Sequence, residues 1–153
     1  MDDGDPGFSF VGTWPVYSGP VYPYYRAGFH YDEAGTGTER ATFVPDLPRA
    51  GEYEVFIWWG TSPYGATDAP YTVHHLYGST TVRVDLRGPA GEGGVWYSLG
   101  VYAFAAGTAG SVEITDAANG YVVADAVRFL EVAAGETTAA ATRPSLWLAR
   151  FPR

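Results

Sequence analysis

The chain has no cysteine and no lysine. Without cysteine there is no disulfide, no thiolate nucleophile, no thiolate-held zinc and no iron–sulfur cluster. The compartment stays open, because bacterial domains of this size fold outside the cell without covalent staples. All nine basic side chains are Arg, against 17 acids, for a net charge of −8. They form no basic cluster, and phosphate contacts need positive side chains grouped on one face, so no nucleic-acid partner is expected. No run of about 18 apolar residues occurs, so no membrane-spanning helix is expected. Met1 is followed by Asp2-Asp3-Gly4-Asp5, which is not the basic-then-apolar start of a signal peptide. There is no sustained helical repeat of apolar residues, no internal repeat, no Gly-x-Ser-x-Gly nucleophile elbow and no glycine-rich turn leading from a strand into a helix.

What is present points to strands. A chain of 153 residues has the length of one domain and buries roughly 70% of its unfolded surface. Apolar residues make up 46% and aromatics 16%, with 12 Tyr and five Trp, which rules out a disordered chain. Twenty Gly and eleven Pro are spread along it as turn punctuation. In Glu52 to Trp59 one face carries Tyr53, Val55, Ile57 and Trp59, and the other Glu54, Phe56 and Trp58. From Thr80 to Leu86, Val82, Val84 and Leu86 point one way, while Thr81, Arg83 and Asp85 point the other. Further strands are predicted at 8–17, 38–45, 70–76, 95–105, 111–115 and 121–132, separated by turns such as Gly35-Thr36-Gly37, Pro48-Arg49-Ala50-Gly51, Gly78-Ser79 and Ala118-Asn119-Gly120. The resulting expectation is an all-β fold, an antiparallel β-sandwich of jelly-roll type, over residues 1–132. Residues 15–31, aromatic and broken by Pro, read as a loop or edge segment. Residues 133–153 read as a C-terminal extension, a docked tail or an inter-subunit arm, with Trp147 and Phe151 as its apolar anchors.

Reactive constellations are scarce. His74 and His75 are adjacent on a strand, so their side chains leave opposite faces and cannot share a ligand. One reads as a hydrogen-bonded structural imidazole and the other as an exposed one. A metal site would need one of them together with His30 and a carboxylate, and no spacing demands that. Asp125, within Val122-Val123-Ala124-Asp125-Ala126-Val127, reads as a buried carboxylate that needs backbone donors or an Arg partner. No second carboxylate matches it in the manner of an acid–base pair. Asp2, Asp3 and Asp5 around Gly4 are the one dense acidic cluster, of a kind calcium uses, although terminal acids are usually just solvated. No catalytic residue, metal or cofactor is therefore assigned.

The aromatics are what remain. Sugar rings present flat C–H faces that pack on Tyr and Trp, while neighbouring polar side chains bond their hydroxyls. Tyr22, Tyr24, Tyr25, Tyr31, Trp58, Tyr64 and Tyr77 are the candidate glycan-binding residues, and Trp14, Trp59 and Trp96 the expected core tryptophans.

The ordered set Gly7-Phe8-Ser9, Gly12-Thr13-Trp14, Asp46-Leu47-Pro48, Gly51-Glu52-Tyr53-Glu54-Val55, Asp68-Ala69-Pro70-Tyr71-Thr72-Val73-His74-His75, Trp96-Tyr97-Ser98-Leu99-Gly100, Phe104-Ala105-Ala106-Gly107-Thr108 and Gly120-Tyr121 through Arg128-Phe129 resembles the golvesin C-terminal / xanthan lyase accessory domain family over roughly residues 3–130. The chain departs from that pattern at Leu86, where members often have Gln, and in its tail. The resemblance implies a β-sandwich module found beside polysaccharide lyases, peptidoglycan hydrolases and other exported bacterial enzymes, with polysaccharide or cell-surface glycan as its partner. It brings no ligand residues with it. The expected function is a non-catalytic, extracellular or cell-surface module that binds glycan through surface aromatics. The alternative is a self-assembling structural subunit of a surface filament or virion, with self-association through the tail.

Overall fold

The computed structural model of the protein describes residues 1–87 and 94–134. Eleven strands run in chain order among these residues: β1 Phe8–Val11, β2 Val16–Tyr17, β3 Phe29–Asp32, β4 Arg40–Phe43, β5 Gly51–Trp58, β6 Ala69–His75, β7 Gly78–Val84, β8 Tyr97–Phe104, β9 Ser111–Thr115, β10 Val122–Ala124 and β11 Ala126–Glu131. All ladders between them are antiparallel. One layer is a five-stranded sheet in the order β1-β4-β9-β6-β7. The other comprises two three-stranded sheets, β10-β3-β2 and β11-β5-β8. Because only Asp125 separates β10 from β11, this second layer reads β3, then the broken strand β10/β11, then β5 and β8. Set against β4-β9-β6-β7, that is the strand order of a jelly roll, as expected.

Period-two alternation builds the core between the layers. Tyr53, Val55 and Ile57 of β5, with Trp59 just after it, are buried against Phe43, Val73, Val112 and Ile114 of the facing sheet. Phe104 makes edge contacts with Tyr53 and Phe129, at ring-centre distances of 6.0 and 5.5 Å. The hydroxyl of Tyr71 crosses the layers and donates to the Val123 carbonyl at 2.8 Å. Removal from water pushes the ionisation of that phenol upward. In β8, Leu99 is an additional residue, since Val55 pairs with Gly100 while Phe56 pairs with Ser98. Gly100, at φ 119°, supplies the backbone this bulge requires.

Several expected boundaries move. The 8–17 segment divides into β1 and β2, which belong to different sheets. The break falls at Gly12, where φ is 96° and a Cβ would overlap the Glu39 side chain. The 121–132 segment divides at Asp125 for a polar reason. Its carboxylate accepts the Tyr25 N–H, at 3.2 and 3.1 Å to the two oxygens, and its carbonyl accepts the Asp3 N–H at 2.9 Å. The chain around Asp2 thus pairs with the start of β11 where β3 has ended, with an isolated bridge from Asp2 to Ala126. Residues 15–31 are loop and edge only up to Gly28. Phe29–Tyr31 enter β3, the middle strand of its sheet, because Phe29 turns into the core. Leu86, the departure from the family pattern, is fully buried. The expected arm, Trp147 and Phe151 included, lies outside the described residues except for 133–134.

Candidate functional site

A cleft of about 240 Å³ opens beside the β10-β3-β2 sheet. Its walls are Tyr17 from β2, Phe29 and Tyr31 from β3, Tyr22 from the Pro-rich loop, Ser62 and Tyr64 from the β5–β6 loop, and Tyr121 just before β10. Leu86 and Val123 also line it. The rings form a continuous ladder. Tyr22 meets Tyr17 at 5.4 Å, Tyr17 stacks on Phe29 at 5.1 Å, Phe29 meets Tyr31 edge-on at 6.1 Å, and Tyr31 meets Tyr121 edge-on at 5.9 Å. Two rings present free faces: Tyr64 is 64% exposed and Tyr121 37%.

Backbone bonds hold the ladder in place. The Tyr17 hydroxyl accepts the Val21 and Tyr22 N–H groups at 2.9 and 3.2 Å, folding the Pro-rich loop onto β2. Tyr121 donates its N–H to the Tyr64 carbonyl at 3.1 Å and accepts the Ala66 N–H at 2.8 Å. Leu86 donates to the Ala66 carbonyl at 2.8 Å. At Gly60 the Pro-rich loop crosses so closely that a Cβ would overlap the Pro23 carbonyl oxygen. Gly60→Ala must therefore displace Tyr22 and the cleft wall. We expect a loss of about 1–3 kcal/mol of stability, read as a lower denaturant midpoint, and altered near-ultraviolet tyrosine ellipticity.

A polar shoulder adjoins the aromatic floor. Glu33, Arg87 and Asn119 line it together with Tyr64 and Tyr121, the two exposed rings. The Tyr121 hydroxyl donates to Glu33 Oε1 at 3.3 Å, and the Glu33 charge is the main influence that raises the phenol's pKa. Asn119 is fixed by Thr67, accepting its N–H at 2.8 Å and donating to its hydroxyl at 2.6 Å. Apolar ring faces beside a few oriented polar groups form the chemistry that recognises a sugar ring.

Of the seven aromatic candidates, Tyr22, Tyr31 and Tyr64 come together in this cleft. Tyr25 and Trp58 do not; they lie on the outer side of β5, where Tyr25 packs on Trp58 at 5.9 Å and on Trp96 at 5.3 Å. There the Arg128 guanidinium sits over Phe56 at 4.5 Å and over Trp96 at 4.8 Å. Trp96 is half-buried in this cluster and is not a core residue, contrary to expectation, because it joins the solvent side of the sheet. Trp14 and Trp59 are core as expected. Tyr24 packs against the core from one side. Tyr77 projects from the β6–β7 turn at 82% exposure, away from the cleft. Sequence reading missed Tyr17 and Tyr121, which it had placed inside strands, and the polar trio. The signal available was Tyr121 following the Asn119-Gly120 turn.

The remaining polar candidates are structural. His75 bonds Thr80 Oγ1 at 3.1 Å and stacks on Tyr102 at 5.1 Å, and His74 is half-buried like it, so neither is the exposed imidazole that was expected of one of them. His30 pairs with Asp3 at 2.6 Å, and Asp5 accepts the Asp2 N–H and pairs with Arg26. No group of three metal-ligating side chains occurs among the described residues. Asp125, 1% exposed, is sealed from any ligand. Burial raises its pKa to about 8, offset in part by the Tyr25 N–H and reinforced by Asp3 and Asp2.

A model of the golvesin C-terminal domain matches residues 1–131. The chain is 43% identical over 138 residues to a xanthan lyase of Bacillus sp. (strain GL1), covering 86% of this chain and 14% of that protein. A solved structure of Paenibacillus xanthan lyase superposes with a TM-score of 0.80 at 40% identity, covering 87% of this chain and 13% of that one. The chain thus corresponds to about one seventh of the relative it matches.

Proposed function

The chain belongs to the golvesin C-terminal domain family, and from that premise we propose that it is a non-catalytic, extracellular module that binds polysaccharide in the cleft between Tyr64 and Tyr121. The observation that carries this reading is the convergence of the exposed Tyr64 and Tyr121 rings with Glu33, Arg87 and Asn119 along one rim. A cleft of about 240 Å³ lies below the range of pockets that enclose drug-sized ligands, roughly 300–1,000 Å³. It suits one sugar ring of a chain that continues over the surface. Among the residues lining the cleft and its shoulder Glu33 is the single carboxylate, whereas a glycosidase needs two flanking the bond it cleaves. Xanthan is the first ligand to try, since the relative's name connects it with that polymer.

Affinity electrophoresis and calorimetry against xanthan and a panel of neutral and acidic polysaccharides test the proposal. Micromolar-to-millimolar binding is expected. Tyr64→Ala and Tyr121→Ala should each weaken it roughly tenfold, since a ring contact supplies about 0.5–1.5 kcal/mol beyond its buried area. Their unfolding midpoints should stay close to wild type, because these faces are exposed. Binding that is indifferent to both substitutions would move the site elsewhere, and no binding to any polymer would end the proposal.

A further inference from the structure

Arg87 stands out among the charged groups of the rim. Arg26, Arg40, Arg49 and Arg83 each pair with a carboxylate, and Arg128 lies between two rings. Arg87 forms no ion pair among the described residues. Its Nε donates to the Gly65 carbonyl at 2.7 Å, and the two terminal nitrogens donate to no described residue. That anchor holds the Nε edge of the guanidinium against the backbone. Gly65 is itself held by its N–H to the Ser62 carbonyl at 3.1 Å and by a bridge to Tyr121. A Cβ at Gly65 would press on Leu86 at 3.0 Å, so the anchor sits on a closely packed backbone. The result is an anchored guanidinium whose two terminal nitrogens meet no acceptor among the described residues, at the edge of an aromatic floor, in a chain that carries a net charge of −8. A guanidinium fork matches a carboxylate bidentately, and an ammonium does not. Glu33 on the same rim already receives the Tyr121 hydroxyl, so it is suited to ring hydroxyls.

We propose that the cleft selects acidic glycans, with Arg87 receiving the carboxylate of a uronate unit while Tyr64 and Tyr121 hold the sugar face. This rests on the cleft being the glycan site. The test is calorimetric titration of the full chain with polygalacturonate and with alginate, each compared with its carboxyl-reduced, neutral form. At least one uronate polymer should bind about 10- to 100-fold more tightly than its reduced form, the range of a hydrogen-bonded charge, and that advantage should shrink with added salt. Arg87→Gln should abolish the advantage by weakening the uronate polymer at least about tenfold more than its reduced form, and Arg87→Lys should restore only part of it. An advantage unchanged in Arg87→Gln, or no advantage in wild type for either polymer, overturns the assignment. Tyr64→Ala separates the two levels. If it weakens binding of both forms while Arg87→Gln changes nothing, the cleft stands and the carboxylate preference falls. If it changes neither, the cleft itself is wrong.

Discussion

Trp59→Ala is expected to destabilise the protein by about 3–5 kcal/mol, the range for emptying the site of a large buried aromatic. Trp59 is completely buried, meets Tyr97 edge-on at 5.7 Å, and donates its Nε1–H to the Leu86 carbonyl at 3.1 Å. The substitution therefore opens a cavity and also leaves a buried carbonyl unpaired. The second loss reaches the rim, because Leu86 donates to Ala66 and is followed directly by Arg87. Trp59→Phe divides the two effects. It keeps most of the volume and should cost about 1–3 kcal/mol for the orphaned carbonyl. Urea unfolding of both variants checks this: an alanine variant within about 1 kcal/mol of wild type would mean that the core at this point is not close-packed.

Asp125→Asn is expected to stabilise the protein above neutral pH and to flatten its pH dependence. The unfolded carboxyl ionises near 3.8, and in the fold burial raises this to about 8. Between these values the folded chain must keep a proton that the unfolded chain has released. Stability therefore falls as pH rises through that window and levels off above about pH 8. At about 1.4 kcal/mol per pKa unit the penalty amounts to several kcal/mol. Asp2 and Asp3 lie close by with pKa values raised chiefly by burial, so they act in the same direction, while the His30 partner of Asp3 opposes it. Asparagine accepts the Tyr25 N–H through its amide oxygen and has no proton to lose. Thermal melts at pH 5 and pH 8 should show the variant gaining on wild type at the higher value. A variant less stable than wild type at both would mean that the ionised carboxylate is what the fold requires.

Much of the architecture was legible because burial on one face forces alternation on the chain. Tyr53, Val55, Ile57 and Trp59 announce a half-buried strand, and the fold places them as expected. The sheet changes at Gly12 and Asp125 were not legible. A single glycine or carboxylate inside an apolar run does not reveal which partner strand lies on each side, and the deciding bonds come from Tyr25 and Asp3, remote in sequence. The cleft was half legible for a related reason. Tyr31, Tyr64 and Tyr121 belong to three distant segments, and only tertiary pairing tells their faces apart from those of Tyr24 and Tyr77. Arg87 carries no local signal, since its distinction is that it meets no carboxylate among the described residues.

The strand interrupted at Asp125 has a mechanical consequence. Its first half is bonded to β3 and its second half to β5, so one covalent thread stitches the two small sheets edge to edge. Force applied to the cleft side by a tethered polymer would pass along that thread into the long β5–β11 ladder, where six consecutive residue pairs share it in shear. Such a thread would carry load without a disulfide, and the seam to watch is the short β2–β3 edge, which has only two paired positions.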